Sequence, residues 1–346
     1  SNRFIHDKVL PDSALSTLEQ CLPLSENGWV KKKIVESVIQ SQTAVPVGEV
    51  GAEVKKELLN LEEEIHKDMI DQEEAVSSVA KTLRRAAASL RETNRPIGSF
   101  LFVGPTGVGK TELSKILAKV YFQGKGHFFR FDMSEYQTQD GVEKLIGKSG
   151  EEGQLTEEVF LHPYSLILLD EFEKADSRLL TLFLQVLDDG RLTSGSGKVV
   201  DFTNTIIIAT SNAASLTIAQ SLEGGLPFAE VEKKVKDELL TIFKPELINR
   251  FDGVVIFKPL SRQDLQKIVE LKLVALQDQL KDQGYVVDFD QKLVEKLAEK
   301  GFDKVLGARP LRRLIQDSLE ARLSVMILED KLPKGEKYLA GENLLA

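Results

Sequence analysis

Sulfur is scarce in this 346-residue sequence: one cysteine, Cys21, and three methionines. A single thiol cannot close an internal disulfide, and one Cys with four scattered His residues falls short of the ligand sets that zinc sites need. The count leads to the expectation of a reducing, cytoplasmic compartment. Long apolar runs are missing too. Ser165 to Leu169 and Thr205 to Ala209 are among the longest, far below the roughly 20 residues that cross a bilayer, so they predict buried strands and no membrane partner. Positive charge is in deficit, with 45 Lys and Arg against 54 Asp and Glu, a net −9. With no dense Lys/Arg run either, nucleic acid is not an expected partner. A starting methionine is also lacking: the chain opens at Ser1-Asn2, which reads as the scar of a cleaved expression product.

What is present suffices for two or three compact units, each with its own core. Two helical patterns, Asp12 to Cys21 and Lys32 to Gln42, precede an extended Val45-Pro46-Val47-Gly48 segment and are expected to pack on something else. Glu53 to His66 predicts a charged helix with Leu58, Leu61 and Ile65 on one face, and Gln72 to Thr93 a second helix rich in Ala and Arg. Asn94-Arg95-Pro96-Ile97-Gly98 breaks that pattern. From Ser99 strands and helices alternate. The strand candidates are Ser99 to Val103, Phe128 to Asp132, Ser165 to Leu169, Thr205 to Ala209 and Val254 to Phe257. Short β-branched runs separated by helix-length segments indicate an α/β fold with a parallel five-stranded sheet flanked by helices. From Ser261 the chain reads as mostly helical. Ser261 and Asp264 are spaced for a capping box, Leu265, Ile268, Val269, Leu276 and Leu280 recur at helical spacing, and Pro310 opens a helix striped by Leu311, Ile315, Leu319 and Leu323.

The strongest motif is Gly104-Pro105-Thr106-Gly107-Val108-Gly109-Lys110-Thr111, which fits G-x-x-x-x-G-K-[ST] between an apolar strand and an amphipathic helix carrying Leu113, Ile116, Leu117 and Val120. Such glycines let backbone N–H groups turn toward phosphate oxygens, and the helix N-terminus adds positive potential. Lys110 is expected at the β- and γ-phosphates of ATP and the Thr111 hydroxyl on Mg²⁺. Leu166-Ile167-Leu168-Leu169 then leads into Asp170-Glu171. A carboxylate at the carboxyl end of such a strand suits the Mg²⁺ shell (Asp170), and its neighbour suits polarising the attacking water (Glu171).

Beyond these two motifs the sequence carries Phe131-Asp-Met-Ser-Glu-Tyr136, Asp189-Gly-Arg-Leu-Thr193, Thr210-Ser-Asn212, Phe243-Lys-Pro-Glu-Leu-Ile-Asn-Arg250 and Gly307-Ala-Arg-Pro-Leu311. In that order and spacing, from about Leu58 to Glu329, the chain resembles the second ATPase module of the Clp-type AAA+ unfoldases and disaggregases. The upstream string Arg3-Phe4-Ile5-x-Asp7-Lys8-x-Leu10-Pro11-Asp12 is similar to the end of the first module of those machines. The resemblance implies a first-module tail over residues 1–50, a linker with a charged helix over 51–75, a large AAA+ nucleotide-binding domain over 76–258 and a helical lid-like small domain over 259–346. It further implies that Asn212 is sensor 1, holding the attacking water with Glu171. Arg250 would be the arginine finger for a neighbouring subunit of a ring, a hexamer by resemblance, and Arg309 sensor 2. Ile70 would lie at the adenine, and the implied partners are ATP with Mg²⁺, further copies of the chain, protein substrates and an adaptor.

Two stretches depart from the family pattern. Ile70-Asp71-Gln72 stands where relatives usually have Ile-Gly-Gln. After Leu145-Ile146-Gly147 the chain runs directly through Lys148-Ser149-Gly150 into Glu151-Glu152-Gly153, without the Gly-rich loop whose aromatic grips a threaded polypeptide. No aromatic occurs between Tyr136 and Phe160. Glu151 and Glu152 would instead line the pore with charge, beside a flexible Thr193-Ser-Gly-Ser-Gly197 segment. The stretch Leu222-Glu-Gly-Gly-Leu-Pro-Phe228 lacks the aliphatic-Gly-aromatic or aliphatic-Gly-Leu tripeptide of protease-coupled relatives, so docking to a chambered peptidase is not expected. The expected function is an ATP-dependent protein-remodelling chaperone. The alternatives are a regulatory or assembly ATPase that does not thread substrate, favoured by the short loop, and a nucleic-acid-dependent motor, disfavoured by the acidic charge.

Overall fold

The five strand-length runs do assemble into one sheet. The computed structural model of the chain describes residues 10–25, 27–43, 58–88, 90–122, 124, 126–303 and 307–345. The string from Arg3 as far as residue 9, the Val45–Gly48 segment and residues 53–57 of the charged helix lie outside them. In chain order the strands are β1 (Gly98–Val103), β2 (His127–Asp132), β3 (Gly147–Lys148), β4 (Glu151–Glu152), β5 (Ser165–Asp170), β6 (Arg191–Thr193), β7 (Val199–Asp201), β8 (Ile206–Ser211), β9 (Gly253–Ile256), β10 (Val286–Phe289) and β11 (Lys337–Ala340). The central sheet has the order β2-β5-β8-β1-β9, all parallel. Its members lie within one or two residues of the expected runs.

Every residue of β1, β5 and β8 is buried, which is why these strands read as continuous apolar runs: helices cover both faces. On one face Leu101, Val103, Ile167, Leu169, Ile207 and Ala209 pack with Leu179, Phe183 and Val186 of the helix Ser177–Asp189. On the other, Phe100, Phe102, Leu166, Leu168, Ile206 and Ile208 meet the helices Glu73–Ala87 and Lys110–Tyr121. Each buried side chain of this size contributes about 1.5–3 kcal/mol. Leu61, Ile65 and Met69 join that second face, so the short charged helix Leu61–His66 is stitched into the core.

Two helices differ from their expected lengths. The charged helix breaks at Asn60 because Arg84 takes the Leu59 carbonyl at 3.2 Å while gripping the Glu62 carboxylate. The helix expected to reach Thr93 ends at Ala87. Beyond it Arg91 donates to the Arg95 and Thr203 carbonyls at 2.5 and 3.1 Å, turning the chain so that β1 can start at Gly98.

The N-terminal helices Asp12–Cys21 and Lys32–Thr43 pack on each other and bury Cys21, Val38 and Ile39. Leu15, Leu18, Leu22, Leu24 and Trp29 are exposed and belong to none of the three apolar clusters among the described residues.

A third apolar cluster builds the C-terminal unit. The capping box forms as expected, with Asp264 N donating to Ser261 Oγ at 3.2 Å and Ser261 N to Asp264 Oδ2 at 2.9 Å. The helix it starts, Arg262–Asp282, buries Leu265, Val269, Leu273 and Leu280. Leu311, Ile315, Leu319 and Leu323 are all buried along a rod from Arg309 to Leu328 that passes through one π-helical segment. The parallel pair β10–β11 is an element the helical reading of this region did not contain.

Candidate nucleotide site

Register brings the chemistry to one edge of the sheet. Asp132 pairs with Asp170, and Val103 with both Ser211 and Ile256. The residues following β1, β5 and β8 therefore emerge side by side at the carboxyl ends of the strands, where open α/β sheets bind ligands.

The phosphate loop turns between β1 and the helix Lys110–Tyr121. Gly109, which precedes that helix, has φ +107, and a Cβ there would lie 2.8 Å from Met69 Cε. The Met69 methyl could swing aside, so it is the left-handed backbone that favours glycine here. Lys110 is buried and donates to the Gly104 and Pro105 carbonyls and, at 2.9 Å, to Asn212 Oδ1. Burial lowers its pKa to about 8, against the pull of nearby Asp170 and Glu173 and with the push of Arg309. Thr106 Oγ1 also reaches Asn212 Oδ1, at 3.4 Å.

Asp170 accepts from Thr210 Oγ1 on one carboxylate oxygen and from Arg130 on the other, with Nε at 3.1 Å and Nη2 at 2.5 Å. Glu171 follows with φ +56. Its N–H donates to Thr210 Oγ1 at 3.2 Å and its carboxylate pairs with Lys174 at 2.5 Å. Asn212 is held from behind by Glu173, whose Oε1 accepts the Asn212 N–H at 3.1 Å.

A cleft of about 690 Å³ opens in front of these groups, within the 300–1,000 Å³ range of small-molecule sites. Ile70, Thr106, Gly107, Val108, Gly109, Lys110, Thr111, Asp170 and Asn212 line it from the sheet side, and Arg309 from the C-terminal unit. Leu260, Ile268, Leu276 and Met69 supply apolar wall, and Lys110, Thr111 and Arg309 supply polar and cationic groups. That division suits a flat aromatic base and a polyphosphate. The two units touch directly at the loop, where Ala308 N donates to Gly107 O at 3.3 Å.

For Mg²⁺ the available donors are the Thr111 hydroxyl and the Asp170 carboxylate, both oxygen and both on the cleft. Among the described residues no group of three or more His, Cys, Asp or Glu side chains is placed to hold a metal ion. A hard cation completed by substrate phosphates and water fits such a sparse set.

Four expected residues stand apart from the rest. Gly104 and Pro105, at the start of the loop, do not line the cleft and accept hydrogen bonds from Lys110. Glu171 points to Lys174 and does not line the cleft. Arg250 is remote from it: its side chain is half exposed and pairs with Asp188 at 2.9 Å.

Asp71 and Gln72, at the departure from Ile-Gly-Gln, both adopt left-handed backbone, with φ +58 and +67. Asp tolerates that region better than most residues. Gln72 locks the turn by exchanging two 2.9 Å hydrogen bonds with the Lys258 backbone.

The hairpin β3–β4 takes the place of an aromatic loop, turning through Ser149-Gly150. Glu151 and Glu152 are exposed but paired, with Lys148 at 3.3 Å and Lys198 at 2.6 Å. The segment expected to be flexible, Thr193–Gly197, is instead pinned: Ser194 N donates to Lys198 O at 2.8 Å and Gly195 N to Ile146 O at 2.9 Å.

Arg130, Glu173 and Thr210 were not assigned roles from sequence. Thr210 belongs to the Thr210-Ser-Asn212 motif. Arg130 alternates with Phe129 and Phe131 on an edge strand, a charge among apolar residues that was the available signal.

The family description of an AAA domain (Cdc48 subfamily) matches residues 95–254, and that of the C-terminal D2-small domain of ClpB protein matches residues 260–340. The chaperone protein ClpB of Meiothermus ruber is 43% identical over 322 residues, covering 91% of this chain and 38% of that protein. The ATP-dependent Clp protease ATP-binding subunit ClpE of Streptococcus pneumoniae is 45% identical over 314 residues, covering 89% and 42%. A closed-state cryo-EM reconstruction of Hsp104 with ATPγS and FITC casein superposes with a TM-score of 0.83 at 31% identity, covering 97% of this chain and 60% of that one. The chain thus spans about two-fifths of the length of the curated relatives it matches. No helix among the described residues is long and apolar enough to cross a membrane.

Proposed function

This chain belongs to the Clp-type AAA+ ATPases, carrying their second AAA module and its small domain, and on that premise we propose that it binds and hydrolyses Mg·ATP in a ring to remodel proteins. The observation that carries the reading is the single cleft joining Lys110, Thr111, Asp170 and Asn212 to Arg309 of the small domain. Lys110 and the loop amides hold the β- and γ-phosphates, and Thr111 and Asp170 hold Mg²⁺, which neutralises phosphate charge when bound. Glu171, on release from Lys174, accepts a proton from the attacking water, which Asn212 orients. Arg309 couples the γ-phosphate to the small domain. Arg250, remote from its own cleft, completes a neighbour's site, so the working assembly is a ring, a hexamer by resemblance. The domain division follows: a first-module tail to residue 50, a linker with a charged helix to 75, the large domain to 258 and the small domain beyond.

A second reading rests on the β3–β4 hairpin. Without an aromatic at its tip, nucleotide would govern assembly while this module pulls no substrate. Docking to a chambered peptidase has no place in either reading, nor do nucleic acid or membrane. One experiment separates the readings: ATP hydrolysis measured with unfolded casein or single-stranded DNA added, alongside unfolding of a stable tagged protein. Stimulation by casein alone supports remodelling. Hydrolysis indifferent to both, with ring formation that follows nucleotide, supports the regulatory reading, and stimulation by DNA alone refutes both.

A further inference from the structure

Arg95, which in the sequence merely ends a helical pattern, lies at the base of Arg250. Its Nε donates to the Leu187 carbonyl at 2.8 Å, and its Nη2 donates to the Arg250 carbonyl. Nη1 stands 3.7 Å from Asp252 Oδ1. The other oxygen of Asp252 accepts from Ser99 N and Ser99 Oγ, both at 2.8 Å, which ties the cluster to the start of β1. Leu187 adjoins Asp188, whose carboxylate receives Arg250 Nε.

One half-buried guanidinium therefore joins the ends of two helices and the turn into β9. The last carbonyls of a helix have no intrahelical partner, and Arg95 takes one from the helix Ser177–Asp189 and one from Pro245–Arg250. The second helix has six residues, too short to hold its own geometry in isolation. Its position must come from outside: Leu247 and Ile248 are buried in the apolar core on one side, and Arg95 fastens its carboxyl end at the Arg250 carbonyl. Asp188 in turn holds the Arg250 side chain through its Nε at 2.9 Å. A lysine could not substitute, because a single ammonium lacks the fixed fork that reaches three acceptors in different directions.

The geometry points to Arg95 as a positioning residue for Arg250: it fixes the backbone from which that arginine reaches the nucleotide of a neighbouring copy, with Asp188 holding the side chain in readiness. This inference rests on the reading of Arg250 as a finger that acts between subunits.

The test mixes two variants, each expected to hydrolyse little ATP alone. Glu171→Gln lends an intact Arg250 but lacks the proton acceptor, and Arg250→Ala has an intact hydrolytic site but lends no finger. Mixing is expected to restore hydrolysis at Arg250→Ala sites beside Glu171→Gln neighbours. Adding Arg95→Lys to the lending subunit should reduce the restored rate about tenfold or more, the scale on which small misplacements are felt. The same change in the Arg250→Ala subunit should leave the restored rate in place. Asp188→Asn in the lender, which keeps side-chain size, should give a smaller loss from the same side only. Binding of a fluorescent ADP by every variant establishes that its own cleft is formed. No restoration in the first mixture overturns the assignment of Arg250 itself. Full restoration with Arg95→Lys in the lender overturns the positioning role, and so does an equal loss from either side, which would make Arg95 a general structural residue. Should Arg95→Lys fail to bind ADP, the Asp188→Asn lender decides: a one-sided loss upholds the cluster and no loss overturns it.

Discussion

Replacing Gly307 by alanine tests whether the contact between the small domain and the phosphate loop governs nucleotide affinity. Gly307 has φ +59, and a Cβ there would stand 2.4 Å from the Thr106 carbonyl oxygen and 3.1 Å from two backbone carbons of Gly107. Carbon–oxygen contacts close at about 3.3–3.6 Å, so the two backbones must part by roughly an ångström. The Ala308 N–H to Gly107 O bond is already 3.3 Å long and does not survive that shift. Arg309, two residues on, withdraws with it. A hydrogen bond to a charged group contributes about 1.5–3 kcal/mol, so nucleotide affinity is expected to fall roughly ten- to a hundredfold. Left-handed strain on the new alanine adds about 1–2 kcal/mol of instability. Gly335→Ala serves as the control: its φ is +78, but nothing lies within 4 Å of the added carbon, so it carries the strain without the clash. Titration with a fluorescent, non-hydrolysable ATP analogue, which carries the γ-phosphate, and thermal unfolding on both proteins separate the two effects. If Gly307→Ala binds nucleotide as tightly as Gly335→Ala, the contact does not govern affinity and the role given to Arg309 fails.

Lys110→Ala is expected to weaken nucleotide binding beyond detection, whereas Glu171→Gln should bind normally and lose at least about a hundredfold in hydrolysis, the usual contribution of a general base; turnover by Glu171→Gln at the parent rate would refute the assignment. Because burial lowers the Lys110 pKa to about 8, the free protein loses this proton above that pH, while bound phosphates restore it. Binding at pH 9 should therefore take up a proton, and affinity should fall by up to about tenfold per pH unit above 8; calorimetry in buffers of different ionisation enthalpy reads the uptake, and none at all would argue against Lys110 at the phosphates. Inserting Gly-Tyr-Val-Gly between Ser149 and Gly150, at the tip of the β3–β4 hairpin, should improve unfolding of a tagged substrate by presenting an apolar face that binds any sequence. Basal hydrolysis should not change, and strong unfolding by the parent chain would show that another surface does the gripping.

The sheet and the phosphate loop were legible in the sequence, because both are written in local terms. Continuous apolar runs such as Leu166–Leu169 can be satisfied only between two covering layers, and the spacing of Gly104, Gly109, Lys110 and Thr111 is a demand of backbone geometry at a phosphate. The helix ends were less legible. Whether the helix that starts at Glu73 stops at Ala87 or Thr93 depends on Arg91 finding the Thr203 carbonyl, a partner 112 positions away. The same holds for the residues behind the site. Arg130 on Asp170, Glu173 on the Asn212 amide and Arg95 beneath Arg250 are polar side chains with no periodic or motif signature, and each gains its role from a partner about 40 to 155 positions away that only the folded chain brings near. Tertiary structure also decided that Arg250 lies away from its own cleft and that Gly307 presses on Thr106. Such contacts join segments some 200 residues apart on the chain, and nothing in the local preferences of either segment encodes the meeting. Hydrophobic pattern specifies which faces must be covered, whereas the positions of charges at the edge of the sheet follow only once the covering is complete.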